Sequence, residues 1–286
     1  MNPRTWYPAG VPCWLDLVQP DHHRLTAFYG SLFDWTFELR TPPEAPGTYA
    51  YARRDGLITA GVGSQPPGTA PEGWVTYVRV DSADATAALV EANGGTVVSP
   101  PTDIGSSGRV ALCADPHGAP IGIWEPAELQ GVELVNAAGA WNFSELHTPD
   151  PDTSAAFYAA VFGWECDRFE MGGDEPAWLF RLPGYGEHLA ENNPELREGI
   201  ANDPFTASFA DAVAWLEPFD AGAGGATSRW TVTFGVADAD AAVARALELG
   251  ATEVSPLIDT PYTRAGMVRD PQGAELTLSE YRPPEA

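Results

Sequence analysis

Basic residues are scarce in this sequence. Its 286 residues include 15 Lys and Arg against 40 Asp and Glu, which gives a formal net charge of −25. A surface this acidic repels phosphate backbones and anionic lipid headgroups. We therefore expect neither nucleic acid nor a membrane as a partner. The charge would attract a cationic ligand, although solubility alone is a sufficient reason for it.

Long apolar runs and cysteines are also lacking. No stretch approaches the roughly 20 apolar residues that a membrane span requires. Residues Met1 to Gly10 lack the basic stretch followed by an apolar stretch that is typical of a signal peptide. The cysteines Cys13, Cys113 and Cys166 are odd in number, and their spacings fit neither a zinc site nor a disulfide framework. We expect small buried side chains, not catalytic thiols, in a reducing compartment, so the sequence predicts a cytoplasmic protein.

What the sequence does have is an internal repeat. Six residues of the first half recur as equivalent residues 129 positions later. Further along the chain, this shift between equivalent positions increases to 155 or 156. The first set comprises Trp14, Asp16, Phe28, Tyr29, Phe33 and Trp35, which match Phe143, Glu145, Phe157, Tyr158, Phe162 and Trp164. The turn at 115–118 likewise recurs at 270–273. The chain is therefore an internal duplication.

The change of shift indicates an insertion in the second half. An increase from 129 to 156 requires 27 additional residues between Trp164 and Trp230, and 184–225 is the interval that we predict. We predict two domains, at 8–127 and 137–282, with the insertion in the second.

Two interpretations of the insertion remain open. Within it, Asn193 can cap a short helix that has Pro194 at its first position. Long insertions in compact domains are often lids or binding loops. The alternatives are a lid over the pocket of the second domain and a surface ornament.

Each domain is predicted to contain two copies of one unit. A strand ends before Pro20, Asp21 can cap a helix, and Leu25, Phe28 and Tyr29 have the spacing of one buried helix face. Three short strand candidates follow, and the same order then begins again. The sequence therefore predicts an α+β fold made of four strand–helix–strand–strand–strand (βαβββ) units.

Two motifs in each half resemble those of a known protein superfamily. Pro20-Asp21 through Leu32-Phe33-Asp34-Trp35 has a counterpart at 149–164, and each half ends in Asp-Pro-x-Gly-Ala. Together they resemble the vicinal oxygen chelate superfamily, which includes glyoxalase I, bleomycin-resistance proteins and extradiol dioxygenases. The resemblance implies two tandem glyoxalase-like domains, each a curved mixed sheet that forms a cup with helices outside. It predicts the fold more strongly than any activity, because fold and function separate readily.

The resemblance also implies where a metal ion would be held. In metal-dependent members the ligands come from the first and last strands of the units. Here the corresponding residues cannot bind a divalent ion. They are Trp14, Phe143, Trp74, Trp230, Gly122 and Thr277. We therefore predict no metal ion and no other cofactor.

Aromatic rings and carboxylates replace these ligands. Strand side chains alternate, so Trp14 and Asp16 should face the first cup, and Phe143, Glu145 and His147 the second. A carboxylate in an apolar cup has a raised pKa and suits a general base. Asp16, Glu145 and His147 are therefore the predicted catalytic residues, with structural salt bridges as the alternative. The predicted ligand-contacting residues are Trp14, Phe143, Trp74, Trp230, Trp124 and Thr277, unless these rings only fill the interior.

Three functions are compatible with these residues. The first is a metal-free protein that binds or sequesters a small aromatic or cationic compound, as in the bleomycin-resistance branch. The second is a cofactorless enzyme that uses Asp16 or the Glu145–His147 pair to move protons on a carbonyl or polyketide-like substrate. The third is a metal-dependent lyase or dioxygenase with relocated ligands. We expect a monomer or homodimer whose partner is a small molecule.

Overall fold

The computed structural model describes most of the chain. The described residues are 7–42, 47–65, 73–169, 177–191, 193–220 and 227–282, without the side chains of 169, 204, 205 and 208. Part of the predicted insertion, at 192 and 221–225, lies outside this set. No helix within the described ranges is long and apolar enough to cross a membrane.

The first half forms one eight-stranded mixed sheet. Its strands are β1 (Pro12–Gln19), β2 (Thr36–Leu39), β3 (Thr48–Arg54), β4 (Leu57–Ser64), β5 (Trp74–Arg79), β6 (Thr96–Ile104), β7 (Gly108–Ala114) and β8 (Pro120–Pro126), and its helices are α1 (His22–Phe33) and α2 (Ala83–Ala92). The strand order is β2-β3-β4-β1-β5-β8-β7-β6. The two βαβββ units meet at the antiparallel pair β1–β5, in the middle of the sheet.

The second half repeats this sheet. Its strands are β9 (Trp141–Thr148), β10 (Glu165–Phe169), β11 (Ala177–Arg181), β12 (Ala212–Pro218), β13 (Arg229–Val236), β14 (Thr252–Asp259), β15 (Thr263–Arg269) and β16 (Glu275–Tyr281), and its helices are α3 (Pro151–Phe162), α4 (Tyr185–Ala190), α5 (Pro194–Asn202), α6 (Pro204–Phe209) and α7 (Ala239–Glu248). The order is β10-β11-β12-β9-β13-β16-β15-β14. The predicted α+β fold of four units is confirmed, and within the described chain neither sheet closes into a barrel.

Acidic side chains start the helices where the sequence predicts them. The side chain of Asp21 accepts a hydrogen bond from the backbone N–H of Arg24 at the start of α1, and Asp150 accepts one from Thr153 at the start of α3. These caps satisfy N–H groups that have no partner inside the helix. Helix α3 ends before Gly163, whose φ of 76° lies in the left-handed region that favours glycine.

The two halves share their hydrophobic cores. One core combines α1 and the strands around it with Val232, Phe234 and Val243 of the second half. The other combines α2 and its strands with residues of α3, β9, β11 and β12. On the faces that carry the helices, Thr76 of β5 and Ser144 of β9 are buried with their hydroxyl oxygens 2.6 Å apart. Each half therefore supplies packing that stabilises the other.

The repeated Asp-Pro-x-Gly turns link the halves reciprocally. The hydroxyl of Tyr29 donates to Asp270 Oδ2 over 2.9 Å, and that of Tyr158 donates to Asp115 Oδ2 over 3.4 Å. All four residues are buried. Burial raises the pKa of the Asp115 carboxyl, although its hydrogen bonds act in the opposite direction.

The additional residues of the second half replace a hairpin turn. Strands β3 and β4 are joined by Asp55 and Gly56, whereas β11 and β12 are joined by 182–211, which contains α4, α5 and α6. Asn193 caps α5 as predicted, because its side chain accepts from the backbone N–H of Leu196. The predicted interval of 184–225 extends beyond this segment, since the residues of β12 form the counterpart of β4.

The cysteines are unpaired. Cys13 and Cys113 are buried, as expected, whereas Cys166 is only partly buried. Burial raises the pKa of the Cys113 thiol to about 12 and that of Cys166 to about 11. Thiols with raised pKa values are poor nucleophiles, which agrees with a packing role.

Candidate functional site

The cup face of each sheet is the face opposite the helices. On β1, Leu15 and Leu17 are fully buried in the shared core, so Trp14 and Asp16 lie on the other face. The register of β1 with β5 places Tyr77 opposite Trp14 on this face. We call the cup face of the first sheet the first cup and that of the second sheet the second cup.

Aromatic rings fill the first cup. Trp14 stacks on Trp124 with ring centres 6.4 Å apart, and it meets Tyr51 edge-on at 5.6 Å. None of these three rings, nor that of Tyr77, is more than 9% exposed. The indole N–H of Trp124 donates to the carbonyl of Leu129 over 3.0 Å. The first cup is therefore closed by its own side chains.

Asp16 holds these rings in place. Its Oδ1 accepts from Trp14 Nε1 over 2.7 Å and from the hydroxyl of Tyr49 over 2.5 Å. The hydroxyl of Tyr77 also donates to this carboxylate. Burial raises the pKa of the Asp16 carboxyl, and the three hydrogen bonds only partly oppose the effect. The acceptor sites of Asp16 are thus occupied by the protein's own donors.

Two glycines make room for the tyrosines. A Cβ at Gly122 would lie 2.0 Å from the Tyr77 ring, and one at Gly61 would lie 2.0 Å from the Tyr49 hydroxyl and 2.1 Å from Asp16 Oδ1. Any larger residue at either position would displace a ring. Gly122 is a position where the resemblance implies a metal ligand, and here the Tyr77 ring covers it.

At two places the second cup has smaller side chains than the first. By strand register, Thr233 of β13 corresponds to Tyr77, and Ser279 of β16 corresponds to Trp124. Thr277 lies beside Thr233 on the same face. The space that two large rings fill in the first cup is therefore not filled by the equivalent residues of the second.

Glu145 and His147 lie in close contact in the second cup. His147 Nε2 lies 2.9 Å from Glu145 Oε1 and 3.1 Å from the hydroxyl oxygen of Thr231. With a proton on Nε2, the imidazole donates to the Thr231 hydroxyl. The side chains of Glu145 and His147 are 29% and 13% exposed, so a ligand in the cup can reach them. Such a pair can hold a proton and pass it to a bound molecule.

Two arginines lie beside this pair. Arg229 stands opposite His147 in the β9–β13 register, and its Nε lies 3.3 Å from Glu275 Oε2. Arg269 contacts the other oxygen of Glu275 at 2.6 Å. Partly exposed ion pairs of this kind contribute little stability. Their guanidinium groups give this end of the second cup hydrogen-bond donors.

The insertion reaches the second cup through an aromatic contact. Phe209 of α6 lies 5.8 Å from Phe143 and 5.7 Å from Trp215, measured between ring centres, and the latter two lie 6.0 Å apart. Phe143 and Trp215 are both on the cup face, because Trp215 pairs with Glu145. The contact favours the lid over the surface ornament.

Trp74 and Trp230 do not line the cups. Trp74 Nε1 donates to the hydroxyl of Tyr29 over 3.2 Å, and Trp230 Nε1 donates to that of Tyr158 over 2.9 Å. Both indoles are buried on the faces that carry the helices. The expectation that they contact a ligand in the cups is wrong, because the strand register places Tyr77 on the cup face of β5 and Trp74 on the other.

The residues present do not fit a metal ion. Trp14 and Gly122 in the first cup and Phe143 in the second offer no donor, and Thr277 offers only a neutral hydroxyl. No group of three or more His, Cys, Asp or Glu side chains within the described ranges is placed to hold an ion. The carboxylate–imidazole pair of the second cup lacks a third strong donor.

Several residues of the two cups were not singled out from the sequence. They are Tyr49, Tyr51 and Tyr77 in the first cup and Thr231 in the second. The alternation of Tyr49 and Tyr51 along β3 is a signal for one shared face. Thr231 carries no such signal, since its role depends on the pairing of β13 with β9.

Comparisons with known proteins agree with this fold. Residues 14–123 match the family described as Glyoxalase/Bleomycin resistance protein/Dioxygenase superfamily, and 144–279 match the family described as Glyoxalase-like domain. CFP32 of Mycobacterium tuberculosis, named as a candidate glyoxylase, is 33% identical over 99% of each chain. The anthracycline biosynthesis protein DauV of a Streptomyces species is 31% identical over 97% of this chain and 96% of its own.

A solved structure is similar over most of the chain. The Mn(II)-bound glyoxalase from Novosphingobium aromaticivorans has a TM-score of 0.59 and 14% identity, and the match covers 95% of this chain and 82% of that one. At this identity the likeness concerns the fold alone.

Proposed function

Because the chain belongs to the glyoxalase/bleomycin resistance protein/dioxygenase superfamily, we propose that it binds a flat aromatic small molecule in its second cup without a metal ion. One observation carries the proposal: the two cups are unequal. Tyr77 and Trp124 fill part of the first cup, whereas Thr233 and Ser279 stand at the equivalent places in the second. Ligand pockets are concave and mostly apolar, with a few polar groups, and the second cup has this composition.

The side chains of the second cup favour an aromatic ligand with a polar substituent. Phe143, Trp215 and Phe209 offer ring faces and edges for stacking. The Glu145–His147 pair can accept a proton from a phenolic hydroxyl or donate to a carbonyl. A fused-ring compound with hydroxyl or carbonyl groups satisfies both requirements.

The curated relatives support this class of ligand. DauV is named for anthracycline biosynthesis, and anthracyclines are fused-ring aromatic compounds. The relationship covers nearly the full length of both chains, so both domains and the insertion lie within it. We therefore take an anthracycline as the first compound to test.

The test is a calorimetric titration with daunorubicin of the native protein and of two matched variants. Glu145→Gln alters the second cup, and Asp16→Asn makes the same kind of change at the equivalent position of the first. A hydrogen bond to a charged group contributes about 1.5–3 kcal/mol, so we expect Glu145→Gln to weaken binding about 10- to 100-fold. Asp16→Asn should leave the affinity within about twofold of native, because first-cup groups do not touch the ligand.

Two results would contradict the proposal. Equal weakening by both variants would mean that the cups do not differ in function, and no binding by the native protein would remove this ligand class. Repeating the titration after dialysis against a chelator tests the metal-free part. We expect an unchanged affinity, and a loss that added Mn²⁺ restores would show that a metal ion is required.

A second candidate function is proton transfer without a cofactor. The contact of 2.9 Å between Glu145 and His147, with Thr231 at 3.1 Å, favours it because a general base needs a partner that positions its proton. Exchange of the α-protons of 1-tetralone in D₂O, followed by NMR, measures this activity. We expect Glu145→Gln to abolish exchange while Asp16→Asn retains it, and equal rates in both variants would exclude the pair as the base.

A further inference from the structure

A cavity of about 260 Å³ lies at the junction of the two halves, apart from the polar pair of the second cup. Three parts of the chain line it: the start of β1, the linker before β9, and the helices of the insertion. Phe143 and Phe209 form the wall nearest the second cup. We call this space the junction cavity.

The lining of the junction cavity is uncharged. Its apolar residues include Val11, Val135, Leu189 and Leu196, and none of the described residues that line it is acidic or basic. This is unusual for a chain with a net charge of −25. An uncharged and mostly apolar lining disfavours ions and favours a neutral organic molecule.

One residue of this lining has a buried polar atom without a partner among the described residues. Trp141 lines the cavity and is 4% exposed, and its buried Nε1 has no hydrogen-bond acceptor among the described residues. A buried donor left unsatisfied costs about 1–3 kcal/mol. Such a group in a native structure requires an explanation.

The other buried tryptophans show that this is an exception. Each of six donates its indole N–H to an oxygen of the protein at 3.2 Å or less. These six are Trp14, Trp35, Trp74, Trp124, Trp164 and Trp230. Trp141 is therefore the exception among the buried tryptophans of the described residues.

We propose that the junction cavity binds a neutral aromatic molecule of one or two rings, and that an acceptor oxygen of this molecule takes the indole N–H of Trp141. An apolar cavity of about 150 Å³ holds benzene, so the larger junction cavity admits a bicyclic compound. The oxygen satisfies the unpaired donor, and the rings pack against the apolar lining. This site is additional to the ligand site of the second cup and does not depend on it.

The test compares two bicyclic probes on the native protein. Coumarin is neutral and carries a carbonyl acceptor, whereas naphthalene has the rings without the acceptor. In the ¹H–¹⁵N spectrum of protein labelled at tryptophan, we expect coumarin to move the Trp141 indole signal and naphthalene to move it much less. The signal is assigned by its absence from Trp141→Phe.

The same variant measures the hydrogen bond. A net contribution of about 0.5–1.5 kcal/mol corresponds to roughly a 2- to 13-fold change in affinity. Trp141→Phe should reduce the affinity for coumarin by this factor and leave the affinity for naphthalene nearly unchanged. Leu196→Trp enlarges a side chain of the lining and should reduce the affinity for both probes.

Three outcomes overturn the proposal: no binding of either probe, equal weakening of both by Trp141→Phe, or binding that leaves the Trp141 signal unmoved. Coumarin bound in the second cup would be weakened by Glu145→Gln instead and would leave the Trp141 signal in place. That result would leave the proposed function standing, since daunorubicin binding tests it separately. If Trp141→Phe does not fold, the Trp141 signal is assigned from through-bond correlations in the native protein, and its response to the two probes decides.

Discussion

Replacing Gly122 by Ala tests whether the first cup is filled as described. Gly122 lies on β8 beside Tyr77 of β5, and a Cβ there would lie 2.0 Å from one carbon of the Tyr77 ring and 2.3 Å from the next two. Carbon atoms in contact are normally about 3.5–4.0 Å apart. The methyl group and the ring therefore cannot both keep their places.

The ring of Tyr77 has little freedom to move aside. Its hydroxyl is hydrogen-bonded to Asp16, and its ring belongs to the hydrophobic core. Overpacking a well-packed site costs about 1–3 kcal/mol. The entropy of unfolding is about 2.1 cal/mol/K per residue, or about 0.6 kcal/mol/K for 286 residues. We therefore expect Gly122→Ala to lower the Tm by about 2–5 °C.

Thr277→Ala is the matched control, because Thr277 occupies the equivalent position in the second cup. Its side chain is partly exposed, so its truncation should change the free energy of unfolding by less than about 1 kcal/mol. Urea unfolding compares the two variants, and adding Tyr77→Thr to Gly122→Ala should recover part of the loss, since neighbouring substitutions are not additive. If Gly122→Ala is as stable as Thr277→Ala, the first cup is not closed by Tyr77, and the argument from unequal cups fails.

Two further predictions concern buried carboxyl groups. Because burial raises the pKa of Asp16, the folded state holds this proton more tightly than the unfolded state, so its contribution to stability is full below about pH 4 and is lost as the pH rises through the raised pKa. Asp16→Asn should therefore flatten the pH dependence of the urea midpoint in this range, and an unchanged slope would contradict the assignment. Tyr29→Phe removes the 2.9 Å hydrogen bond to Asp270 and should lower the free energy of unfolding by about 1–3 kcal/mol. Tyr158 lies 3.4 Å from Asp115, so Tyr158→Phe should lower the free energy of unfolding by less than Tyr29→Phe does. The reverse order would be inconsistent with these distances.

The repeat made most of the fold predictable. The helix of each unit begins at a capping side chain that the sequence shows, such as Asp21 and Asp150. Apart from the insertion, the units have the same order of elements in both halves. Caps and turns depend on residues close together in the sequence, so local patterns are enough to find them. The cup-face positions of Trp14 and Asp16 also followed from alternation, because Leu15 and Leu17 define the opposite face.

The faces of β5 and β13 were not predictable in the same way. In β5, residues of both faces are buried, so the apolar pattern does not alternate. Trp74 and Tyr77 are then equally plausible cup residues until the register with β1 is known. The pair of Glu145 and His147 was visible from the sequence. Thr231 joins it only through the pairing of distant strands, and Phe209 only because the insertion folds back over the second cup.

The shared cores explain why the second domain needs the first domain for its stability, although the cup of the first domain is closed. Helix α1 of the first half packs in one core with Phe234 and Val243 of the second, and α2 in the other core with α3 and β9. The second sheet therefore cannot keep its packing without the first. A ligand in the second cup needs a rigid wall behind β9, and the first domain contributes to it where Thr76 of β5 contacts Ser144 of β9. Loosening the rings of the first cup should weaken the fold of both halves, whereas changes to the small residues of the second cup should alter binding and leave stability nearly unchanged.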